Sequence, residues 1–372
     1  MLLTIIVFFL LLGVLVLIHE CGHFFAARRS GIAVEEFGLG FPPRLFAIKR
    51  KETLYSLNLI PLGGFVKIKG ENGEESQQSD SFGAKKKSVR AFVLAAGVLM
   101  NVFLAFIILS IGLMFGLPAA VDDGNASYNE HLSGSSVKIS GVLKNSPAEI
   151  AGISVGDEVK TIAGTKVTTT TQITDYVKNN QEQFSTIGVI SVDGTAKTLV
   201  FRPALMPGQG EKNILGVSLI KTGILRFGFW ESWYQGFLAT FRIIGQIFVS
   251  FFYLIAGLFS GSGAALNLTG PVGVAVMTGE VVDLGWIYLL QFAAMLSLNL
   301  AVINILPFPA LDGGRIFFLL IEAIRRKPNN QKIETVFHNV GFALLMVLIA
   351  MVTYKDVIRY GSGVIDKVKN LF

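Results

Sequence analysis

The chain has 372 residues, of which 52% are hydrophobic and only 16% are charged; this composition excludes an ordinary soluble protein of that length. The formal net charge of +6 does not indicate a nucleic-acid partner, because the basic residues are spread over loops between apolar stretches. An excess of Lys and Arg in cytoplasmic loops explains the charge better. The sequence therefore predicts a polytopic α-helical membrane protein.

The first apolar stretch, residues 1–27, has no charged residue before Glu20 and is long enough to cross a bilayer. It lacks the basic start and the small-residue cleavage site of a secretory signal, so we expect it to be retained. It ends in HECGH. His19 and His23 are four residues apart and face one side of a helix, as two ligands of one metal ion must. In the pattern H-E-x-x-H the histidines hold zinc and the glutamate, here Glu20, moves protons during peptide hydrolysis.

A chance occurrence of this pattern is the alternative, with the two histidines at a helix end in the membrane interface and Glu20 in water. Ionisable residues at the centre of a membrane helix cost about 2.5 to 3.5 kcal/mol on insertion scales, so their presence there usually marks a functional site. Cys21, the only cysteine, occupies a position that the motif leaves free. We expect it to pack against its neighbours and not to bind metal.

Residues 28–90 carry twelve Lys or Arg against seven Asp or Glu, which places this loop on the cytoplasmic side and the N-terminus outside. Within it, residues 34–68 alternate aromatic and β-branched residues with Gly and Pro, a pattern typical of short strands and tight turns. Their apolar character predicts a membrane-associated β-loop near the active site, with a small cytoplasmic hairpin as the alternative. Residues 71–87 are polar enough for a flexible connector.

Residues 91–117 form the second predicted span, in which Asn101 is expected to hydrogen-bond a neighbouring helix. A polar linker follows at 118–136, and then a soluble-looking domain at 137–206. Within that domain, NSPAEIAGISVGDEV predicts a short helix begun by proline and a glycine turn before a strand. This stretch resembles the PDZ domains of bacterial proteases, which implies an α+β domain that captures extended peptides.

The remaining predicted segments alternate between membrane and loop. Tryptophans near the start of the apolar stretch 229–259 and Arg242 inside it suit a helix that lies in the membrane interface, with a spanning helix as the alternative. The segments are a linker with this helix at 207–282, a third span at 283–308, a cytoplasmic loop with an L-D-G motif at 309–334, a fourth span at 335–353 and a tail at 354–372.

Pro307 and Pro309 break the third span, and irregular backbone at membrane depth is tolerated only where it is buried in protein or lines a cavity. The carboxylate of Asp312, which follows, can complete a zinc site with one position left for water. The alternative is that Asp312 caps the next helix. His19 lies about 25 Å along a helix that starts outside, so Asp312 reaches the same zinc only if its span also ends inside. We call this requirement, that both spans end on the same side, the parity argument. It predicts that the stretch 229–259 does not cross the membrane.

HECGH in the first span and N-x-x-P-x-P-x-L-D-G-G in the third together resemble the site-2 protease family, peptidase family M50, whose members are intramembrane zinc metalloproteases. The bacterial RseP and RasP type, with an extracytoplasmic PDZ domain, is the most similar. The resemblance implies one zinc ion per chain held by His19, His23 and Asp312, with Glu20 as the catalytic base. It also implies that Asn304 holds the unwound substrate backbone.

By this resemblance the substrates are single-pass membrane proteins, such as anti-sigma factors or remnant signal peptides, cut after a first extracytoplasmic cleavage. We therefore expect a zinc metalloendopeptidase of the bacterial cytoplasmic membrane, with four transmembrane helices, one inserted extracytoplasmic PDZ domain and an active site toward the cytoplasm. The lipid bilayer and the substrate are the expected partners, and a peptide or ectodomain on the PDZ domain is a further candidate.

The sequence departs from the family pattern in two places. It has one PDZ-like domain where RseP of enteric bacteria has two, and its second span has AAGVLMN where many relatives have a glycine-proline pair before the asparagine. The main alternative function is a catalytically inactive membrane adaptor that gathers partners through its PDZ domain. A transporter that uses the polar intramembrane residues as an ion path is a weaker one.

Overall fold

The structure is a computed structural model that describes residues 2–71, 78–121, 128, 130–180, 183–191, 193–204, 214–260, 269–327 and 329–369. It divides into two compact units. The first comprises Met1–Ile111 with Trp233–Phe372, and the second is Gly112–Ser232. Parts of the predicted connector at 71–87 and of the predicted linker at 118–136 lie outside the described residues.

Helices and strands alternate along the described chain. The helices are α1 (Leu2–Arg29), α2 (Lys87–Phe115), α3 (Pro147–Ile150), α4 (Thr170–Asn179), α5 (Phe229–Ser260), α6 (Pro271–Leu284), α7 (Trp286–Ile305), α8 (Asp312–Arg325) and α9 (Gln331–Lys369). The strands are β1 (Val34–Arg50), β2 (Thr53–Ile68), β3 (Leu117–Val121), β4 (Leu132–Val142), β5 (Glu158–Ile162), β6 (Thr165–Lys166), β7 (Ser185–Ile190), β8 (Ala196–Phe201) and β9 (Val217–Leu225).

Several of these helices are long and apolar enough to cross a membrane. Within the described residues they are Leu3–Arg29, Lys87–Phe115, Phe229–Gly257, Trp286–Ile305 and Lys332–Gly361. The third of them belongs to α5, which the parity argument places in the interface. By length and composition α5 could also cross the membrane. The number of four spans therefore stays a prediction.

The end of the chain is more helical than predicted. Helix α9 continues to Lys369, through the stretch predicted as a tail, and α6 begins within the predicted segment 207–282 and ends at Leu284, inside the predicted third span. The carboxylate of Asp356 on α9 accepts hydrogen bonds from the backbone N–H groups of Gly270 (2.9 Å) and Gly273 (2.7 Å) at the start of α6. This buried carboxylate occupies two of the N–H groups that a helix leaves without an internal partner, and so joins the two helices.

Strands β1 and β2 form the predicted β-loop but are longer than the short strands expected. Residues Glu36–Leu39 pair on two sides, with Gly64–Lys67 and with Leu54–Leu57, so the sheet is more than two segments wide. Toward its tip the hairpin exposes large apolar side chains, among them Leu45 (60% exposed) and Phe46 (59%). This exposure favours the predicted membrane association over a small hairpin in water.

The second unit is built on one sheet. Its strands lie in the order β3-β9-β4-β5-β7-β8, with β6 paired to β5. Buried Ile139, Val159, Ile173 and Ile187 contribute to its core. The short helix expected from NSPAEI is α3, where Pro147 is the first residue and the Ser146 side chain accepts from the Glu149 N–H.

This sheet extends beyond the predicted domain 137–206. Strand β3 pairs with β9, and β9 pairs along β4, which begins at Leu132. The stretch predicted as a linker at 118–136 contains most of β3 and the first residues of β4, and the stretch predicted as a linker at 207–282 contains β9. Val217 and Leu219 of β9 pack against the core, so this strand is an integral part of the fold.

Candidate metal centre and active site

Three side chains from distant parts of the chain converge in the first unit. The Nε2 atoms of His19 and His23 lie 3.0 Å and 3.2 Å from Oδ2 of Asp312, and 3.2 Å from each other. Within the described part of the chain, these residues form the one group of three His, Cys, Asp or Glu side chains that is arranged to hold a metal ion. They are the three residues that the sequence predicts as metal ligands.

Helices α1 and α2 approach each other through glycines beside the histidines. A Cβ atom on Gly22 would overlap the carbonyl oxygen of Ala96, and a Cβ atom on Gly97 would lie 2.8 Å from His19 Nε2 and still closer to His23 Nε2. No side chain fits in either place. The imidazoles therefore rest directly on the backbone of α2, a contact that the sequence analysis missed although AAGVLMN contains the glycine.

The second nitrogen of each imidazole has its own partner. His23 Nδ1 donates to the carbonyl oxygen of Val93 at 2.8 Å, which leaves the Nε2 lone pair for a metal. His19 Nδ1 lies 3.3 Å from the side-chain amide nitrogen of Asn101, whose Oδ1 is buried without a partner. An amide turned by 180° puts Oδ1 in that place, where it accepts the Nδ1–H and likewise frees Nε2.

Asn101 thus contacts two neighbouring helices, as the sequence predicts for at least one: His19 on α1 and Ser297 on α7. Its side chain is completely buried, and its backbone carbonyl accepts a hydrogen bond from Ser297 of α7 at 2.8 Å. Because α7 holds Asn101 from one side and His19 meets it on the other, Asn101 fixes the orientation of the His19 ring. Partners of this kind are worth about 10- to 100-fold in metal affinity.

We expect Asn101→Leu to release zinc about tenfold faster than the wild type, because the substitution keeps the bulk of the side chain and removes the partner of His19 Nδ1. Stopped-flow transfer of zinc to a chromogenic chelator measures the rate. Asn299→Leu is the matched control, since the Asn299 side chain bonds the Met295 carbonyl of its own helix. Equal release rates for the two variants would contradict a role for Asn101.

The donor set fits zinc. Two imidazole nitrogens and one carboxylate oxygen are ligand types that zinc prefers, and three protein ligands leave the open position of a catalytic site. Asp312 Oδ2 is buried and faces the Nε2 atoms of His19 and His23, which have no proton to donate to it when Nδ1 is the protonated nitrogen. A buried carboxylate oxygen without a donor is costly, and a bound cation removes that cost.

Asp312 is positioned by the turn between α7 and α8. It is the first residue of α8, while Leu311 is the N-cap and makes no side-chain capping bond. The structure therefore does not show the alternative in which the Asp312 side chain caps the helix. A Cβ atom on Gly313 would overlap the carbonyl oxygens of Ile305 and Leu306, so this glycine allows the turn to close tightly against the end of α7.

Glu20 and Asn304 lie beside the metal ligands. The backbone N–H of Val66 in β2 lies near the Glu20 carboxylate, and Glu20 Cγ is 3.4 Å from the place where Gly64 would carry a Cβ. Glu20 therefore borders the β-loop. Asn304, near the end of α7, places its amide nitrogen 3.4 Å from His19 Nε2, on the metal-binding side of that ring.

Comparisons with known proteins identify the family of this chain. The family model described as peptidase family M50 matches residues 7–348, a range that includes both motifs. A protein of Clostridium perfringens is 38% identical over 347 residues, which cover 92% of this chain and 95% of that protein. The zinc metalloprotease RasP of Bacillus licheniformis is 31% identical (96% and 99% covered), and the regulator of sigma-W protease RasP of Bacillus subtilis is 30% identical (96% and 98%).

Among solved structures, the PDZ domain of an SdrC-like protein from Listeria monocytogenes matches 22% of this chain and 85% of its own length, at 17% identity and a TM-score of 0.20. We draw nothing from a likeness of that size. The family model and the RasP relatives cover nearly the whole chain. The chain therefore belongs to peptidase family M50, and it is a membrane zinc metalloprotease of the site-2 protease type.

Proposed function

We propose that this enzyme is an endopeptidase that cuts single-pass membrane proteins in or near their transmembrane segment, with one zinc ion per chain held by His19, His23 and Asp312. The observation that carries the proposal is the convergence of two side chains of the apolar helix α1 with one that follows the apolar helix α7. The name of the Bacillus subtilis relative, regulator of sigma-W protease, supports proteins that control sigma factors, such as anti-sigma factors, as one substrate class.

Glu20 is the proposed catalytic base. Bound zinc supplies the Lewis acidity that polarises a scissile carbonyl and lowers the pKa of water toward 7. The Glu20 carboxylate, which lies near the Val66 N–H, takes a proton from the attacking water and passes it to the leaving amine nitrogen. The hydrogen bond of His23 to Val93 and the contact of His19 with Asn101 keep both rings in place.

A helical substrate must unwind first, because its carbonyl groups are held in internal hydrogen bonds. We propose that the β-loop near residues 37–68 holds the unwound peptide as an added strand. Among the residues that the structure describes, residues 64–68 of β2 pair only with β1. The same segment contains the residues that border Glu20. Asn304, whose amide lies beside His19, holds the peptide backbone near the bond to be cut.

The proposed topology has four spans, with α5 in the interface. The active site then lies toward the cytoplasmic side of the membrane, and the sheet domain lies outside. In this arrangement the domain, which resembles a PDZ domain in its NSPAEIAGISVGDEV stretch, acts as a docking site or size filter. It admits substrates whose ectodomain has already been trimmed by a first protease.

The test compares cleavage of a model single-pass protein, with and without its ectodomain, by the purified enzyme in detergent. We expect the trimmed substrate to be cut with one zinc per chain, the activity to disappear after chelation, and one equivalent of zinc to restore it. The full-length substrate should be cut more slowly. Cleavage that survives complete zinc removal would contradict the catalytic proposal, whereas equal rates for the two substrates would contradict only the filter.

The adaptor alternative is not supported. An inactive adaptor has no need of a complete ligand set or of Glu20, and both are present beside the β-loop. The RasP relatives of comparable length are named as proteases. The transporter alternative likewise lacks support from the family.

A further inference from the structure

The last helix, α9, contacts the turn that carries Asp312. His338 lies outside the metal-binding group, yet its Nδ1 accepts a hydrogen bond from the backbone N–H of Ala310 at 3.0 Å. Ala310 is two residues before Asp312.

Ala310 has an unusual backbone conformation. Its φ is +72°, in the left-handed region that residues with a Cβ rarely adopt. A non-glycine residue keeps such a conformation only where its surroundings hold it. The bond from the Ala310 N–H to His338 is such a restraint, and it acts on the turn that directs the next residues toward the histidine ligands.

The contact between α9 and the turn is close on both sides of this bond. A Cβ atom on Gly341 of α9 would overlap the ring of Pro309, and a Cβ atom on Gly314 would lie 3.3 Å from His338 Cε1. The His338 ring also packs near the ring of Phe318 on α8, with centroids 5.9 Å apart. The imidazole therefore packs between the turn and α8, the helix that begins with Asp312.

We propose that His338 is a positioning residue for the metal site: by accepting the Ala310 N–H, it holds the left-handed turn that presents the Asp312 carboxylate to His19 and His23. The inference rests on the proposed role of Asp312 as the third ligand. His338 itself does not touch the metal, and its effect passes through the backbone at Ala310.

The experiment measures zinc release from the full-length enzyme in detergent. His338→Phe keeps a ring but removes the acceptor, and we expect zinc to leave about tenfold faster, at the lower end of the effect of residues that orient ligands. His338→Asn carries its Oδ1 close to the place of Nδ1, so we expect it to retain most of the wild-type rate. His131→Phe in the second unit is the matched control and should release zinc like the wild type.

A rescue variant tests whether the effect passes through Ala310. Glycine adopts the left-handed conformation without a steric cost, so Ala310→Gly added to His338→Phe should slow zinc release again. A merely structural role of His338 would not be corrected by this change. The proposal is overturned if His338→Phe releases zinc at the wild-type rate, or if the added glycine does not slow release.

A third variant keeps the test decisive if His338→Phe does not fold. Ala310→Val places a β-branched residue at a positive φ, and we expect faster zinc release from it even with His338 present; a wild-type rate would overturn the proposal. Asp312→Ala separates this result from the ligand assignment. If Asp312→Ala binds zinc normally, the proposed site is wrong. If Asp312→Ala loses zinc but the substitutions at residues 338 and 310 leave zinc release unchanged, only the role of His338 is rejected.

Discussion

Replacing Glu20 with glutamine is expected to lower kcat/KM for a single-pass substrate by about 10²- to 10⁴-fold, the range attributed to general acid and base catalysis, while the enzyme keeps its zinc. Glutamine has nearly the same shape as glutamate but cannot take a proton from water at neutral pH. Zinc should stay because Glu20 is not among the three side chains grouped to bind it. The measurements are cleavage rate and zinc content of the same preparation.

The control for this variant is Glu35→Gln. Glu35 lies on β1 and is ion-paired with Lys67 across the β-loop, with a side chain 42% exposed, so we expect it to lose little activity. Wild-type cleavage by Glu20→Gln would remove Glu20 from the mechanism. Loss of both zinc and cleavage would instead make Glu20 a residue that supports the metal.

Replacing Asp312 with asparagine is expected to weaken zinc binding by at least about 100-fold, beyond the 10- to 100-fold range of residues that only orient ligands, and to abolish cleavage. The substitution removes the negative charge on the oxygen that faces both Nε2 atoms while it keeps the side-chain shape. Competition between the enzyme and a chelator of known affinity measures the change.

The exposed Asp283, at the end of α6, provides the control Asp283→Asn, which should bind zinc like the wild type. Zinc binding unaffected by Asp312→Asn would reject the third ligand.

The convergence of the two motifs was predictable from sequence because each has its own chemistry. Histidines four residues apart form a pair on any helix, and an aspartate after two prolines marks irregular backbone at membrane depth. The contacts of Gly97 and His338 were not predictable in the same way. They depend on how closely α2 and α9 pack against the site, and a single sequence gives helix periodicity but not the distance between helices.

The boundaries of the sheet domain were missed for a related reason. Strands β3 and β9 are far apart in sequence and pair with each other, so neither is recognisable from a local turn or hairpin signal. The short helix α3 and its proline were recognisable because that motif lies within a few consecutive residues. Local patterns located this domain, and long-range pairing determined its extent.

The backbone contact between α1 and α2 also limits how this enzyme can be engineered. Exchange of glycine for alanine is a common way to stiffen a helix, and at Gly13 an added methyl group meets no atom within 4 Å. The same exchange at Gly97 would put that methyl group into the space of both imidazoles. One carbon atom there would separate the helices and displace the metal ligands, so stabilising substitutions in α2 must leave this position unchanged.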